Sequence, residues 1–209
     1  MPPAHHGFVP SSAEDTLRHR VKDELRTRMR ALRSALPVSA CADKSSQIVA
    51  RLAALEAVAT ARSVALFWPI VDRHEVDLRA LDARLRARSV RVAYPRLEET
   101  GAMSFRFVGD LEAMREHALG LLEPTSDDPV AERGELDAIV APALAVDPRG
   151  HRIGYGVGHY DRALPRVAPP GVVVVVAFDF QLVAETPETE GDVAGAWVVT
   201  ERRVLAASA

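Results

Sequence analysis

Cysteine is almost absent from this chain. Cys41 stands alone among 209 residues, so no internal disulfide can form and nothing implies an oxidising compartment. Long apolar runs are missing too: the most apolar stretch, Val172 to Phe178, falls far short of the roughly 20 residues that a membrane-spanning helix needs. The Pro/His/Ser-rich start has neither the basic segment nor the apolar core of a secretory signal, so the expectation is a cytoplasmic protein without membrane attachment. Charge of one sign does not dominate, and a net charge of -3 argues against a general nucleic-acid binder. The seven histidines are scattered, with His5 and His6 near the start. No His-Glu-x-x-His or Cys/His pairing suggests a metal site, and no Gly-x-Ser-x-Gly elbow supports a serine hydrolase. Lysine is nearly missing: Lys22 and Lys44 are the only two among 26 basic residues, which makes the placement of Lys22 informative.

The length suits one domain of moderate size. Residues 1–10 read as a mobile arm, and 11–209 as a single α/β unit. Ser12 with Asp15 three residues on marks a helix start, and Leu17, Val21, Leu25, Met29, Leu32 and Leu36 recur at helical spacing up to Pro37. The intervening arginines suit a solvated surface, while Lys22 and Arg26 lie four apart and share a face. The pattern then predicts a helix over Ser39 to Ala59, a strand over Ser63 to Trp68, a helix over Val76 to Arg88, and a strand Val90 to Tyr94 ended by Pro95. Further strands are predicted at Met103 to Val108, Leu136 to Ala141, Val172 to Phe178 and Trp197 to Thr200, with a surface loop over Pro124 to Gly134. Strands alternating with helices point to a three-layer α/β fold. Its central sheet is mainly parallel and flanked by helices, and ligands bind beyond the strand C-termini.

Chemistry concentrates in Arg152-Ile153-Gly154-Tyr155-Gly156-Val157-Gly158-His159-Tyr160-Asp161-Arg162. If this segment is extended, Gly154, Gly156 and Gly158 leave one face bare for close ligand approach. Backbone N–H groups, Arg152 and the start of a following helix would meet anionic oxygens, and Asp161 could hold the accompanying magnesium. The loop is neither a P-loop nor a dinucleotide fingerprint, so a tight glycine-rich turn between strand and helix explains it equally well.

The run from Asp137 through Asp147, the Pro148-Arg149-Gly150 turn and this loop together resemble the signature of the 5-formyltetrahydrofolate cyclo-ligase family, also called methenyltetrahydrofolate synthetase. That signature is Asp-hydrophobic-Pro-Gly/Ala-hydrophobic-Asp, a turn with Gly, then Arg-Leu-Gly-x-Gly-x-Gly-Tyr-Tyr-Asp. The resemblance extends to Lys22-Asp23-Glu24-Leu25-Arg26, His74-Glu75-Val76-Asp77, Tyr94-Pro95-Arg96, Glu123-Pro124 and Val198-Val199-Thr200-Glu201. It implies a monomeric ligase that closes the ring of 5-formyltetrahydrofolate to 5,10-methenyltetrahydrofolate, consuming ATP with Mg2+ and releasing ADP and phosphate.

The resemblance also implies residue roles. Lys22, Arg26 and Arg152 reach the ATP phosphates, with Lys22 and Arg152 acting in catalysis. Gly154, Tyr155, Gly156, Val157, Gly158, His159 and Tyr160 line the nucleotide, and Asp161 and Asp192 associate with the metal. Glu75 would accept from the pterin's N–H donors, with Ile70, Tyr155, His159 and Tyr160 also lining the folate pocket. Lys22 and Arg152, taken as exposed cations, should matter little to folding. Four positions depart from the family pattern: Val157, His159 where an aromatic is usual, Gly191 and Ala196. His159 makes folate affinity an expected function of pH between about 5.5 and 7.5. The alternatives are a nucleotide- or folate-binding paralogue without this turnover, or one serving another pathway such as thiamine metabolism. A sugar-phosphate isomerase is more distant, since fold does not fix function.

Overall fold

Ser12 opens the first helix as its spacing suggests, its side chain accepting from the Asp15 N–H and satisfying one of the otherwise orphaned donors of α1 (Ala13–Ser34). The computed structural model describes residues 12–116 and 121–207. The N-terminal arm, residues 1–10, lies outside the described residues. After α1 come α2 (Val38–Ala54), α3 (Glu56–Ala59), β1 (Ser63–Ala65), α4 (Arg79–Ala87), β2 (Arg91–Leu97) and β3 (Met103–Phe107). Two short strands, β4 (Arg115–Glu116) and β5 (Leu122–Glu123), precede β6 (Ala138–Pro142) and the hairpin of β7 (Ala145–Val146) and β8 (Arg152–Ile153). The chain ends with α5 (His159–Val167), β9 (Val172–Val176), β10 (Trp197–Val199) and β11 (Val204–Ala206).

The central sheet has seven strands in the order β11-β10-β9-β6-β1-β2-β3. Its five inner strands are parallel, and both edge strands run antiparallel. An unbroken valine run explains the centre of the sheet. Strand β9 is all valine, and a strand covered on both faces reads as continuous apolar sequence rather than as alternation. Val174 and Val176 face the α2–α4 side, among Ile48, Leu52, Leu81 and Leu85. Val173 faces the α5 side, with Leu164 and Val167. The three-layer expectation holds.

Several element readings change, and the two-residue strands β4, β5, β7 and β8 were not anticipated. The helix predicted over Ser39 to Ala59 breaks at Leu55, whose backbone is extended (φ -69°, ψ 125°). Leu55 and Val58 are both drawn into the core there, so burial outweighs helix continuity. The helix predicted from Val76 starts only at Arg79, because the Asp77 carboxylate accepts the Arg79 N–H while Val76 and Leu78 are buried beneath it. Strand β2 runs through Pro95 instead of ending there. Pro95 pairs with Phe105 but lies beyond the last β1–β2 pair, Ala65 with Ala93, so that side of the ladder asks for no N–H. Strand β11 was not anticipated, being a short antiparallel edge.

Helix α1 differs most from its apolar pattern. Leu17 and Leu32 are 57% and 43% exposed, while Lys22 and Arg33 are each 5% exposed, beside Met29. The helix lies on the β7–β8 hairpin, where Met29 and Leu25 meet Leu144, Ala145 and Ile153. That placement turns a row of cations inward.

Both aspartates of the Asp137-to-Asp147 run are structural. The Asp137 carboxylate accepts from the Arg62 and Ser63 N–H groups and the Ser63 hydroxyl, tying β1 to β6. Asp147 is fully buried and accepts from Thr186, Arg149 and His151. Burial alone would raise its pKa, but the bonds from Thr186 and His151 outweigh it and hold the carboxyl below its ordinary range.

Candidate functional site

A cleft of about 220 Å3 opens beyond the carboxyl ends of β1, β2 and β6, the end at which parallel α/β sheets place their ligands. It brings together Ile70, Glu75, Arg152, Gly154, Tyr155, Val157, Gly158, His159, Tyr160 and Asp161, ten of the fourteen positions marked in the sequence. Arg26 joins this group through its bond to Gly154 O, and the bonded pair Lys22–Asp192 lies next to Val193, which bonds Arg152 and Asp161. Gly156 lies in the loop itself.

The loop is not extended. Gly156 and Gly158 have φ of +104° and +70°, so the backbone turns and the alternating bare face does not exist. A Cβ on Gly156 would sit 3.4 Å from the Arg26 guanidinium, whereas one on Gly154 would meet nothing within 4 Å. Gly156 therefore makes room for Arg26, whose Nε donates to Gly154 O at 3.0 Å. The loop delivers the chain into α5, whose N-terminal residue is His159. Backbone N–H groups at such a helix start favour negative charge.

Lys22 and Arg152 are not the exposed cations expected. Arg152 is 7% exposed and donates to Asp161 Oδ1 at 2.9 Å and to Val193 O at 2.6 Å. Lys22 Nζ donates to Asp192 Oδ2 at 2.6 Å and to Thr189 Oγ1 at 2.8 Å. Asp192 in turn accepts from the Thr189 N–H. Each cation thus holds one of the two predicted metal-associated carboxylates. Among the described residues no three His, Cys, Asp or Glu side chains gather to form a cage for a metal. The donor set still fits magnesium, which takes one or two carboxylates and completes its shell with water and phosphate oxygens.

At the other end of the cleft the Glu75 carboxylate is buried and oriented from both sides. Oε2 accepts from the Ile70 N–H at 2.9 Å and Oε1 from the Tyr155 hydroxyl at 2.5 Å. The Tyr155 hydroxyl itself accepts from Arg33. Burial first, and the Glu75 charge second, push the Tyr155 hydroxyl pKa up, so it stays a donor. Removing that donor should weaken recognition of any ligand that Glu75 holds. For a hydrogen bond to a charged group, the loss is about 1.5 kcal/mol. Tyr155→Phe is expected to raise the apparent KM for the ligand at Glu75 roughly tenfold while leaving the KM for a phosphate-bearing co-substrate unchanged. Steady-state kinetics with each substrate varied in turn test this, and an equal rise in both KM values would contradict it.

Several cleft residues were missed in the sequence. Arg33 had been assigned to a solvated surface but is buried against Tyr155, 5.8 Å from its ring centre. Trp68 packs edge-on to Tyr94 at 5.8 Å, and Arg73, Arg96 and Met103 complete the walls. Their sequence signals are slight: Trp68 follows β1, and Arg96 lies at the far end of β2 in the Tyr94-Pro95-Arg96 segment that shares in the resemblance. Three buried cleft atoms, Tyr160 Oη, Arg33 Nε and Arg96 Nε, make no hydrogen bond. Such atoms are rare in interiors, and a polar ligand would satisfy them. Burial drives the Tyr160 hydroxyl pKa far upward, leaving it a neutral donor.

His159 is half-buried in the cleft wall. Burial, then the neighbouring Arg162 charge, lowers its pKa below 6.5. The pH window expected from the sequence therefore moves down, and the ring is neutral near pH 7. A depressed folded-state pKa means that the unfolded chain binds the proton first. Its contribution to stability is complete above pH 6.5 and is lost as pH falls below that value. His159→Tyr is accordingly expected to lose less stability than wild type between pH 7 and pH 5 in denaturant titrations. It should also flatten the acid-side rise in KM of the ligand it touches. Parallel stability curves for the two proteins would show the shift to be immaterial.

The chain is similar to proteins of one family. The profile of the 5-formyltetrahydrofolate cyclo-ligase family matches residues 18–201. A 5-formyltetrahydrofolate cyclo-ligase of Escherichia coli is 29% identical over 184 residues, covering 84% of this chain and 98% of that protein. One from Mycolicibacterium smegmatis is 44% identical over 89 residues, which span 42% of this chain and 46% of that protein. Among solved structures, the Aquifex aeolicus 5,10-methenyltetrahydrofolate synthetase superposes with a TM-score of 0.79 at 29% identity, covering 90% of this chain and 94% of that one. A Mycoplasma pneumoniae 5,10-methenyltetrahydrofolate synthetase gives a TM-score of 0.70 at 20% identity over 86% of this chain and 98% of that one, a likeness of fold.

Proposed function

The chain belongs to the 5-formyltetrahydrofolate cyclo-ligase family and is an enzyme of the ligase class, and from that premise we propose that it closes 5-formyltetrahydrofolate to 5,10-methenyltetrahydrofolate with ATP and Mg2+, yielding ADP and phosphate. The observation that carries the reading is one cleft with two chemically opposite ends. Glu75, oriented by Ile70 and Tyr155, offers a planar acceptor for the pterin's N–H donors. About the glycine loop, Lys22, Arg26 and Arg152 offer donors for phosphate oxygens.

A formamide oxygen is a poor leaving group. It therefore attacks the γ-phosphorus, the bond from that phosphorus to the β-bridging oxygen breaks, and ADP departs. N10 of the same folate then attacks the activated formyl carbon, forming the second C–N bond. The C–O bond to phosphate breaks and the N10 proton is lost to water or phosphate. No protein nucleophile is required. The chain's work is to hold the formyl oxygen and γ-phosphate in line and to neutralise the charge that develops. Arg152 and Lys22 supply that charge, and Tyr160 lies beneath Arg152 with its ring centre 5.6 Å from the guanidinium. When bound, magnesium offsets charge on the phosphates, and Asp161 and Asp192 are the residues that would hold it.

The test is a spectrophotometric assay for methenyltetrahydrofolate with 5-formyltetrahydrofolate, ATP and MgCl2. Product that forms only with all three supports the reading. Absence of product with active relatives run alongside would refute it.

A further inference from the structure

The two cations that the proposed reaction needs at the phosphates are both already engaged, each with one of the two carboxylates proposed to hold the metal. Lys22 Nζ lies 2.6 Å from Asp192 Oδ2, and Arg152 Nη2 lies 2.9 Å from Asp161 Oδ1. The two pairs are well shielded: the Lys22 and Arg152 side chains are 6% and 3% exposed, and Asp192 and Asp161 19% and 30%. We infer that Asp161 and Asp192 are specificity-determining residues that make the site select the metal complex of the nucleotide and reject the free polyphosphate. This rests on the nucleotide reading above and adds to it a discrimination that the phosphate contacts alone do not provide.

A free triphosphate that draws Lys22 and Arg152 to its oxygens leaves two partly buried carboxylates without counter-ions, close to a polyanion. Uncompensated charge in such surroundings is costly. When a divalent cation arrives with the phosphates, both exchanges close together. The ammonium and guanidinium turn to phosphate oxygens, and the carboxylates turn to the cation. No group is left alone, and the cation offsets two of the negative charges that the free triphosphate would bring. Thr189 marks the Lys22 exchange as local, because its N–H and hydroxyl both bond Asp192 and its hydroxyl also accepts from Lys22. The loop that carries Asp192 thus keeps a hold on its carboxylate when the lysine leaves.

The consequence runs against the usual effect of damaging a site. Neutralising either carboxylate should make the protein bind free ATP better. Isothermal titration of the full chain with ATP in EDTA, and with ATP in excess MgCl2, reads both arms without turnover. Wild type is expected to bind the magnesium complex well and free ATP weakly. Asp192→Asn, which frees Lys22, should tighten free-ATP binding roughly tenfold, as expected for loss of one partly buried ion pair, and should weaken binding of the magnesium complex. Asp161→Asn, which frees Arg152, should behave likewise and serves as the second variant if the Thr189 loop shifts in the first. Glu190→Gln controls for a general field effect, since Glu190 is exposed two residues from Asp192 and is paired with neither cation. Free-ATP affinity that is unchanged in both Asn variants, or raised equally by Glu190→Gln, would overturn the inference while leaving the nucleotide reading intact. Wild type that binds neither form of ATP would overturn both.

Discussion

Lys22→Ala is expected to lower kcat/KM for ATP by about a hundredfold or more, the ~3 kcal/mol that one preorganised donor to a developing phosphate charge contributes. It should also lower the melting temperature. The lysine is buried and holds Asp192 at 2.6 Å, so truncation leaves a carboxylate with 19% side-chain exposure short of its counter-ion, at a cost of about 2 kcal/mol. The two effects separate in a double variant. Lys22→Ala/Asp192→Asn removes the stranded charge and should recover most of the stability without recovering turnover. Recovered turnover would mean that Lys22 serves only to neutralise Asp192. Wild-type kinetics in the single variant would remove it from the phosphate site.

Gly150→Ala should be among the most destabilising single substitutions in the chain, for two additive reasons. Its φ is +84°, a left-handed conformation that costs an L side chain about 1 kcal/mol. A Cβ there would also sit 2.1 Å from the Gly195 carbonyl oxygen, and a backbone atom held in place cannot yield cheaply. Gly195 N donates to Gly150 O at 2.9 Å, so the turn before Arg152 and the segment before β10 are locked backbone to backbone. The expected loss is above ~3 kcal/mol, read as a fall in the denaturant midpoint. Gly101→Ala is the control: its φ is +78° with nothing within 4 Å, so it should lose only the conformational part. Equal losses in the two variants would show that the Gly150–Gly195 contact carries no energy.

The layer architecture was legible in the sequence because its signals are strong and local. The valine run of β9 and the alternation of strands with helices leave few other arrangements. The residues from Arg152 to Asp161 read equally well as a turn or as a phosphate loop, and only the family signature running through them and the preceding strand favoured a site. Conformation was harder. The three glycines left an extended segment and a tight turn both open, and Gly156 turns through positive φ to admit Arg26, a contact made by a residue 130 positions earlier in the chain. The same limit hid Arg33. Helical spacing placed all the leucines of α1 inward, but only Leu25 and Met29 of that row meet the hairpin, while Leu17 and Leu32 are exposed and Lys22 and Arg33 are buried. A single helix has no record of which neighbour it will meet. Pro95 illustrates the converse, since a proline ends a strand only where a neighbour needs its missing N–H, and neighbours are a tertiary fact.

In the proposed reaction the formyl oxygen, held by this cleft, attacks the γ-phosphate directly. Turnover of 5-formyltetrahydrofolate labelled with 18O in the formyl group tests it. With ATP and MgCl2 in unlabelled water, the released inorganic phosphate is expected to carry one 18O per methenyltetrahydrofolate formed, read by mass spectrometry or 31P NMR. Unlabelled phosphate accompanying full conversion to product would contradict it.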